Sequence, residues 1–188
     1  MSTVVMEQRK KIHPHKFTLW VAMASISMMF AGVTSAYIVK KDQANWFSFE
    51  LPVAFWYSTA AIIISSITIM LAQRKFKSRE MSAYRGLITA TFVLGLLFLT
   101  LQVIGFLALA KNGLTLQKNV SVSFLYVIVC LHMLHVVGGL IALMVMFAKA
   151  FSKSVRSYDS VPVEVMATYW HFVDFLWIYL LVFLLMIR

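Results

Sequence analysis

A carboxylate and an imidazole lie three residues apart in an apolar segment near the C-terminus, YWHFVDFLW, residues 169–177. The two groups are His171 and Asp174, and this spacing places them on one face of a helix. An imidazole and a carboxylate so arranged can form an ion pair, relay a proton or supply two ligands to a metal ion. The segment is therefore the first place in the chain to look for chemistry.

A second pair of imidazoles lies in the preceding apolar segment, LHMLHVVGG, residues 131–139. His132 and His135 are also three residues apart and share a helix face. Gly138 and Gly139 follow about one turn later, where they allow a neighbouring helix to pack closely. Because a short connection joins these two segments, we expect their helices to be neighbours.

Five long apolar blocks hold these residues. The chain has 188 residues, of which 61% are hydrophobic and 13% charged, whereas a soluble domain averages about 25% charged residues. A bilayer core about 30 Å thick requires about 20 apolar residues in a helix. We predict an all-α polytopic membrane protein, a single transmembrane domain over residues 1–188 built as a bundle of five helices, with spans at about 17–39, 52–72, 87–110, 121–148 and 164–187.

The net charge of +10 is distributed unevenly between the two ends of these spans. The N-terminal tail holds four Lys and Arg, the second connection five and the fourth three, against two in the first, two in the third and one at the C-terminal end. Positive residues favour the cytoplasmic side, so we predict a cytoplasmic N-terminus and an external C-terminus. The basic excess then indicates anionic lipid as the partner, and no nucleic acid.

Asp174 is the only Asp, Glu, Lys or Arg well inside a span, about 15 Å along the fifth. A lone charge there costs about 2.5–3.5 kcal/mol, so the group must be protonated, paired or hydrated. Three interpretations are open: a haem or redox-metal site, a proton or ion pathway, and a structural network. The spacing of the histidines cannot supply axial ligands to both faces of one haem, and the first three spans offer no acid or base. We therefore favour a network that joins the last two helices, formed by His132, His135, His171 and Asp174.

These residues also resemble a known family, subunit III of the haem–copper oxidases (the cytochrome c oxidase subunit III family), in its shorter five-helix form. The resemblance rests on four stretches: YWHFVD at 169–174 followed by Trp177, with Glu164 just before it; HMLHV at 132–136 followed by two glycines; Gly95, Phe98 and Gln102 in the third span; and, in the first span, Trp20, the Ala-Ser pair at 24–25, MMFAG at 28–32 and Ala36-Tyr37. The family's carboxylate in the first of these helices is replaced here by Ile26, and the acid that follows the glutamine by Gly105.

The resemblance implies an accessory subunit that binds no haem or copper itself and has no catalytic or metal-ligating residue of its own. It implies packing beside the catalytic subunit I, with subunit II and other oxidase subunits in the same complex, in a bacterial-type cytoplasmic membrane. Haem and copper are then expected on the partner subunits, and phospholipid on this chain; a larger respiratory supercomplex is a further expected assembly. Secondary packing or lipid contacts are expected from Trp170, Trp177, Gln102 and Glu164.

Two other functions fit the same sequence features. An accessory subunit of a quinol oxidase or of a nitric oxide reductase would have a similar architecture. A stand-alone proton-coupled transporter or channel would use the intramembrane acid and imidazoles directly.

Overall fold

The computed structural model describes residues 14–41, 51–114, 120–151 and 160–187, and all regular structure in these ranges is helical. The five helices are α1 (Pro14–Lys41), α2 (Val53–Lys77), α3 (Met81–Lys111), α4 (Val120–Phe151) and α5 (Val161–Ile187). Each is long and apolar enough to cross a bilayer. The prediction of five membrane-spanning helices is confirmed.

The helices extend beyond the predicted spans, by up to six residues at the start of α3 and five at the end of α2. The predicted spans mark only the apolar residues that cross the hydrocarbon. The hydrogen-bonded backbone continues into the basic residues at the membrane surface, because nothing in their sequence breaks the helix.

The predicted orientation of the termini remains a prediction. Part of the charge count on which it rests lies outside the described residues, namely Arg9, Lys10, Lys11, Lys118, Lys153, Arg156 and Arg188.

The turn between α2 and α3 is short and joins the two helices as an antiparallel hairpin. Ser78 and Arg79 donate backbone hydrogen bonds to Arg74 and Phe76, and Arg79 adopts a positive φ of 60°. α3 ends at Lys111, and two residues later the φ of 76° at Gly113 turns the chain away from the helix while the Gly113 amide donates to the carbonyl of Ala110. A glycine in this conformation is a common helix terminator.

Helix α5 lies inside the bundle and contacts α1, α2 and α4, while α3 packs against α2 and α4. Half of the most apolar stretch of α5 is buried, against 11% of that of α1. Between α1 and α2 the described residues make no backbone contact. A groove therefore opens between these two helices, with α5 at its base.

The basic end of the bundle is the end at which α1, α3 and α5 begin and α2 and α4 end. Among the described residues it carries Lys16, Arg74, Lys75, Lys77, Arg79, Arg85 and Lys149. Here Arg85 donates from Nε to the carbonyl of Ala150 at 2.8 Å and places its guanidinium 5.3 Å from the ring centroid of Phe151. The contact fixes α3 to the end of α4.

Two glycines make room for the indole of Trp170. A Cβ on Gly95 would lie 2.9 Å from Cη2 of Trp170 and 2.8 Å from Cδ2 of Leu140. A Cβ on Gly139 would lie 3.1 Å from Cζ3 of the same indole. The sequence prediction that the glycines of α4 admit a neighbour holds for Gly139; Gly138 is exposed and has only the Tyr169 hydroxyl nearby, at 3.9 Å.

We expect Gly95→Ala to destabilise the bundle, because the added methyl group meets a fully buried indole that cannot move aside. Overpacking of this kind costs about 1–3 kcal/mol, which outweighs the gain of up to about 1 kcal/mol in helix propensity. Gly86→Ala on the same helix is the matched control, since nothing lies within 4 Å of its Cβ position. The measurement is the thermal midpoint of the detergent-solubilised protein. Equal midpoints for the two variants would contradict this account of the packing.

Candidate functional site in the bundle interior

Asp174 lies in the middle of α5 with only 4% of its surface exposed. Neither carboxyl oxygen has a partner at hydrogen-bonding geometry among the described residues. The hydroxyl of Ser66, on α2, is close enough to the carboxyl to interact with it. The acid therefore points away from lipid, toward the interface of α5 with α2.

His171 turns toward the same serine. Its Nδ1 lies 2.5 Å from Oγ of Ser66, and its ring is half-buried. Positions 171 and 174 share a helix face, so one hydroxyl on α2 can meet both side chains. The structure thus brings His171 and Asp174 together at Ser66, without a direct bond between imidazole and carboxyl.

His132 is fully buried in an aromatic environment. Its ring centroid lies 5.2 Å from that of Trp177, 5.8 Å from Phe98 and 6.4 Å from Phe30. Neither ring nitrogen has a hydrogen-bond partner in the part of the chain that the structure describes. The ring packs as a flat aromatic group at the centre of the bundle.

His135 points to the interface of α4 with α1. Its Nδ1 donates to the carbonyl of Leu131 on its own helix at 2.7 Å, and its ring meets the edge of Phe30 at 5.7 Å. The backbone carbonyl of His135 accepts a hydrogen bond from the Tyr169 hydroxyl at 3.0 Å. The four residues of the predicted network thus divide into two groups, His171 with Asp174 at Ser66, and His132 with His135 around Phe30.

Two tryptophans join α5 to α2. Nε1 of Trp170 donates to Oγ of Ser65 at 2.9 Å, and Nε1 of Trp177 donates to Oγ1 of Thr59 at 2.9 Å. Both indoles are fully buried. Each places its N–H on a hydroxyl in a region without bulk water, so the two bonds fix the position of α5 along α2.

Gln102 makes the corresponding link between α3 and α2. Its Nε2 donates to Oγ of Ser58 at 2.9 Å, and both side chains are fully buried. About three helical turns toward the basic end, the hydroxyls of Thr68 and Thr91 bind each other at 2.8 Å. α2 therefore presents hydroxyls to both α3 and α5, and the network prediction left these interhelical contacts out. The signal was present in the sequence as a set of Ser and Thr in the second span, but their partners were not.

Glu164 forms an ionic clasp at the basic end, defined here as Glu164 with Lys16 and Lys77. Its Oε2 lies 2.7 Å from Nζ of Lys16 on α1, and its Oε1 lies 2.9 Å from Nζ of Lys77 on α2. The clasp joins two helices whose described residues make no backbone contact. Beside it lies a crevice of about 330 Å³, also lined by Trp20, Gln73 and Thr168.

The predicted His and Asp side chains do not converge on one point in the described part of the chain. The described residues hold no group of three or more His, Cys, Asp and Glu side chains that could bind one ion. His132 is enclosed by aromatic rings, and Nδ1 of His135 is occupied by its own helix. The geometry of these described side chains supports contacts between helices.

We expect Glu164→Gln to weaken attachment of α1, because the neutral amide cannot pair with two ammonium groups. The expected loss is about 1 kcal/mol, the upper range for an ion pair that is only partly shielded from solvent. Glu80→Gln is the matched control, since Glu80 pairs at 2.7 Å with Lys75 alone and both side chains are exposed. The effect is measured by the yield of chemical crosslinking between α1 and α2 with a reagent that forms no disulfide, and by the thermal midpoint at low and high salt. A loss in Glu80→Gln equal to that in Glu164→Gln would contradict it.

Comparison with known proteins gives a consistent result. The family model described as "Cytochrome c oxidase subunit III" matches residues 45–187. "Cytochrome c oxidase subunit 3" of Bacillus sp. (strain PS3) is 25% identical over 169 residues, which cover 86% of this chain and 80% of that protein. "Cytochrome bo(3) ubiquinol oxidase subunit 3" of Pseudomonas aeruginosa is 26% identical, with 86% and 79% covered.

"Probable cytochrome c oxidase subunit 3" of Mycobacterium leprae is 30% identical over 177 residues, with 89% of this chain and 85% of that protein covered. The family match includes four of the five helices in full, and the relatives' alignments extend over most of both chains. The chain belongs to the cytochrome c oxidase subunit III family.

Proposed function

We propose that this chain is the accessory, cofactor-free subunit III of a haem–copper terminal oxidase. Such a complex is an oxidoreductase that reduces oxygen to water and pumps protons. The observation that carries the proposal is the family match over residues 45–187. Relatives named for cytochrome c oxidase and for ubiquinol oxidase occur at similar identity. The proposed role therefore does not depend on whether cytochrome c or ubiquinol donates the electrons.

The bundle suits a subunit whose task is structural. Its polar interior includes bonds between helices: Trp170 and Trp177 to α2, and Gln102 to α2 from α3. These bonds, and the close packing at Gly95 and Gly139, support the proposal of a single transmembrane domain. Haem and copper belong, in this proposal, to the neighbouring subunits, with which the exposed apolar helix faces make contact.

Subunit I is the proposed direct partner, with subunit II and other oxidase subunits in the same complex, in a bacterial-type cytoplasmic membrane. The basic end then faces the cytoplasm, as the positive-inside bias predicts. Contact with subunit I would bury part of the large apolar surface that the chain exposes on its own, including Leu134, Met144 and Phe175.

Phospholipid is the proposed ligand of the groove between α1 and α2. Lys16 and Lys77 border the crevice at its basic end, where a lipid phosphate would meet two ammonium groups. Farther along the groove, α5 presents Phe175 and Val182, which are 70% and 47% exposed. A charged opening followed by an apolar wall fits a headgroup and an acyl chain.

Purification of the tagged chain from its native membrane tests the assembly. Haem absorption that copurifies with the tag, and a mass-spectrometric inventory that includes an oxidase subunit I and phospholipid, are the expected results. A colourless monomer that moves protons or another solute across vesicle membranes would overturn the proposal and support a transporter.

We expect Asp174→Ala to lower assembly of the complex more than it lowers the initial turnover of complexes that do assemble. The substitution leaves a cavity beside Ser66 and removes a polar partner at the α2–α5 interface, which costs stability and not electron transfer. Copurified haem per tag measures assembly, and oxygen consumption per haem measures turnover.

Asp174→Asn is the control, because it retains the volume and a polar group, and it should restore most of the assembly. Loss of turnover in a fully assembled Asp174→Ala complex with an unchanged spectrum would contradict the structural role. It would assign the acid to proton movement during turnover instead.

A further inference from the structure

The Asp174 carboxyl has the surroundings of a neutral acid. It is 4% exposed, and its oxygens meet no cation within the described residues. Between their basic ends and their opposite ends the helices offer it no partner of positive charge: α1 has no Lys or Arg from 17 to 39, α2 none from 53 to 73, and α3 none from 86 to 110. The two imidazoles of α4, His132 and His135, face Phe30 and the aromatic centre.

A neutral carboxyl carries an O–H that needs an acceptor, and Ser66 offers one. The Ser66 hydroxyl faces the carboxyl on one side and lies 2.5 Å from Nδ1 of His171 on the other. A hydroxyl can accept one hydrogen bond while it donates another. Asp174, Ser66 and His171 can therefore form a continuous chain of hydrogen bonds after a small rotation of the carboxyl.

The chain of hydrogen bonds leads toward the groove. His171 is half-buried and lies on the same face of α5 as Glu164 and Thr168, which line the crevice at the basic end. Thr168 precedes His171 by less than one helical turn. Phe175, on the next turn of this face, is 70% exposed. The imidazole thus stands between the buried acid and the open side of the bundle.

We propose that Asp174 is a buried proton-binding site that exchanges its proton with the groove between α1 and α2 through Ser66 and His171. In the forward step the carboxyl O–H bond breaks and its proton binds Oγ of Ser66, while the proton of Ser66 moves to Nδ1 of His171. The ring releases its Nε2 proton to water in the groove. The products are a carboxylate, an intact serine hydroxyl, a neutral imidazole protonated at Nδ1 and a hydronium ion, and the reverse steps restore the acid.

Infrared spectroscopy of the purified full chain in lipid, alone or in its complex, tests the site directly. The wild type should show the C=O stretch of a protonated carboxyl that shifts in D₂O, and Asp174→Asn should lack that band. Ser66→Ala and His171→Gln should keep the band and slow its deuterium shift by about a hundredfold, the low end of what a positioned acid or base contributes to proton transfer.

Two matched controls should exchange at the wild-type rate. They are His135→Gln, whose imidazole binds its own helix, and Ser25→Ala, whose exposed hydroxyl binds the carbonyl of Val21. Ser66→Thr keeps the hydroxyl and should restore fast exchange, which separates a relay from a packing effect.

Three results would overturn the inference. They are absence of any carboxyl band that depends on Asp174, wild-type exchange in both Ser66→Ala and His171→Gln, and failure of Ser66→Thr to restore exchange. The measurement needs no turnover, so it stands or falls separately from the assignment to an oxidase complex.

Discussion

The bilayer interior offers no water to polar side chains, so a polar group at that depth is stabilised when it finds a partner on another helix or on its own backbone. Helix α2 meets this requirement in a specific way. The hydroxyls of Ser58 and Thr59 both donate to the carbonyl of Phe55 on their own helix. Their oxygens then accept from Gln102 and Trp177. Because each hydroxyl is already satisfied as a donor, it acts as a fixed acceptor for a side chain of another helix.

The same bonds explain how α3 and α5 are coupled although their backbones do not approach within the described residues. The indole of Trp170 fills the space between them, with Gly95 on one side and Ser65 on the other. Trp177 meets Phe98 in the same way, with ring centroids 5.2 Å apart. Two large rings, held at one edge by a hydrogen bond, take the place of direct helix–helix contact. A bond between side chains in a membrane contributes about 0.6 kcal/mol on average, so the coupling comes from geometry and packing as much as from bond strength.

Hydropathy was sufficient to predict the number and type of elements, because membrane crossing depends on local length and apolarity. Hydropathy was insufficient to predict which side chains meet in the interior of the bundle. The spacing of His171 and Asp174 shows that they share a face, but not how far α5 is rotated. That rotation is decided by Trp170 and Trp177, whose rings occupy the centre and turn the acid toward Ser66. His132 was expected near Asp174 from its depth alone, and the indole of Trp177 lies against it instead.

The partners of α1 are all late in the chain. Its backbone contacts are with α4 and α5, and its charged end meets Glu164 at the start of α5. During synthesis α1 is made before these partners, and the described residues of the hairpin of α2 and α3, which follows it in the chain, make no backbone contact with it. α1 can therefore complete its contacts only after α4 and α5 have been made. The surface that α1 leaves exposed in the finished bundle is rich in apolar residues and small side chains, which suits contact with lipid during that interval.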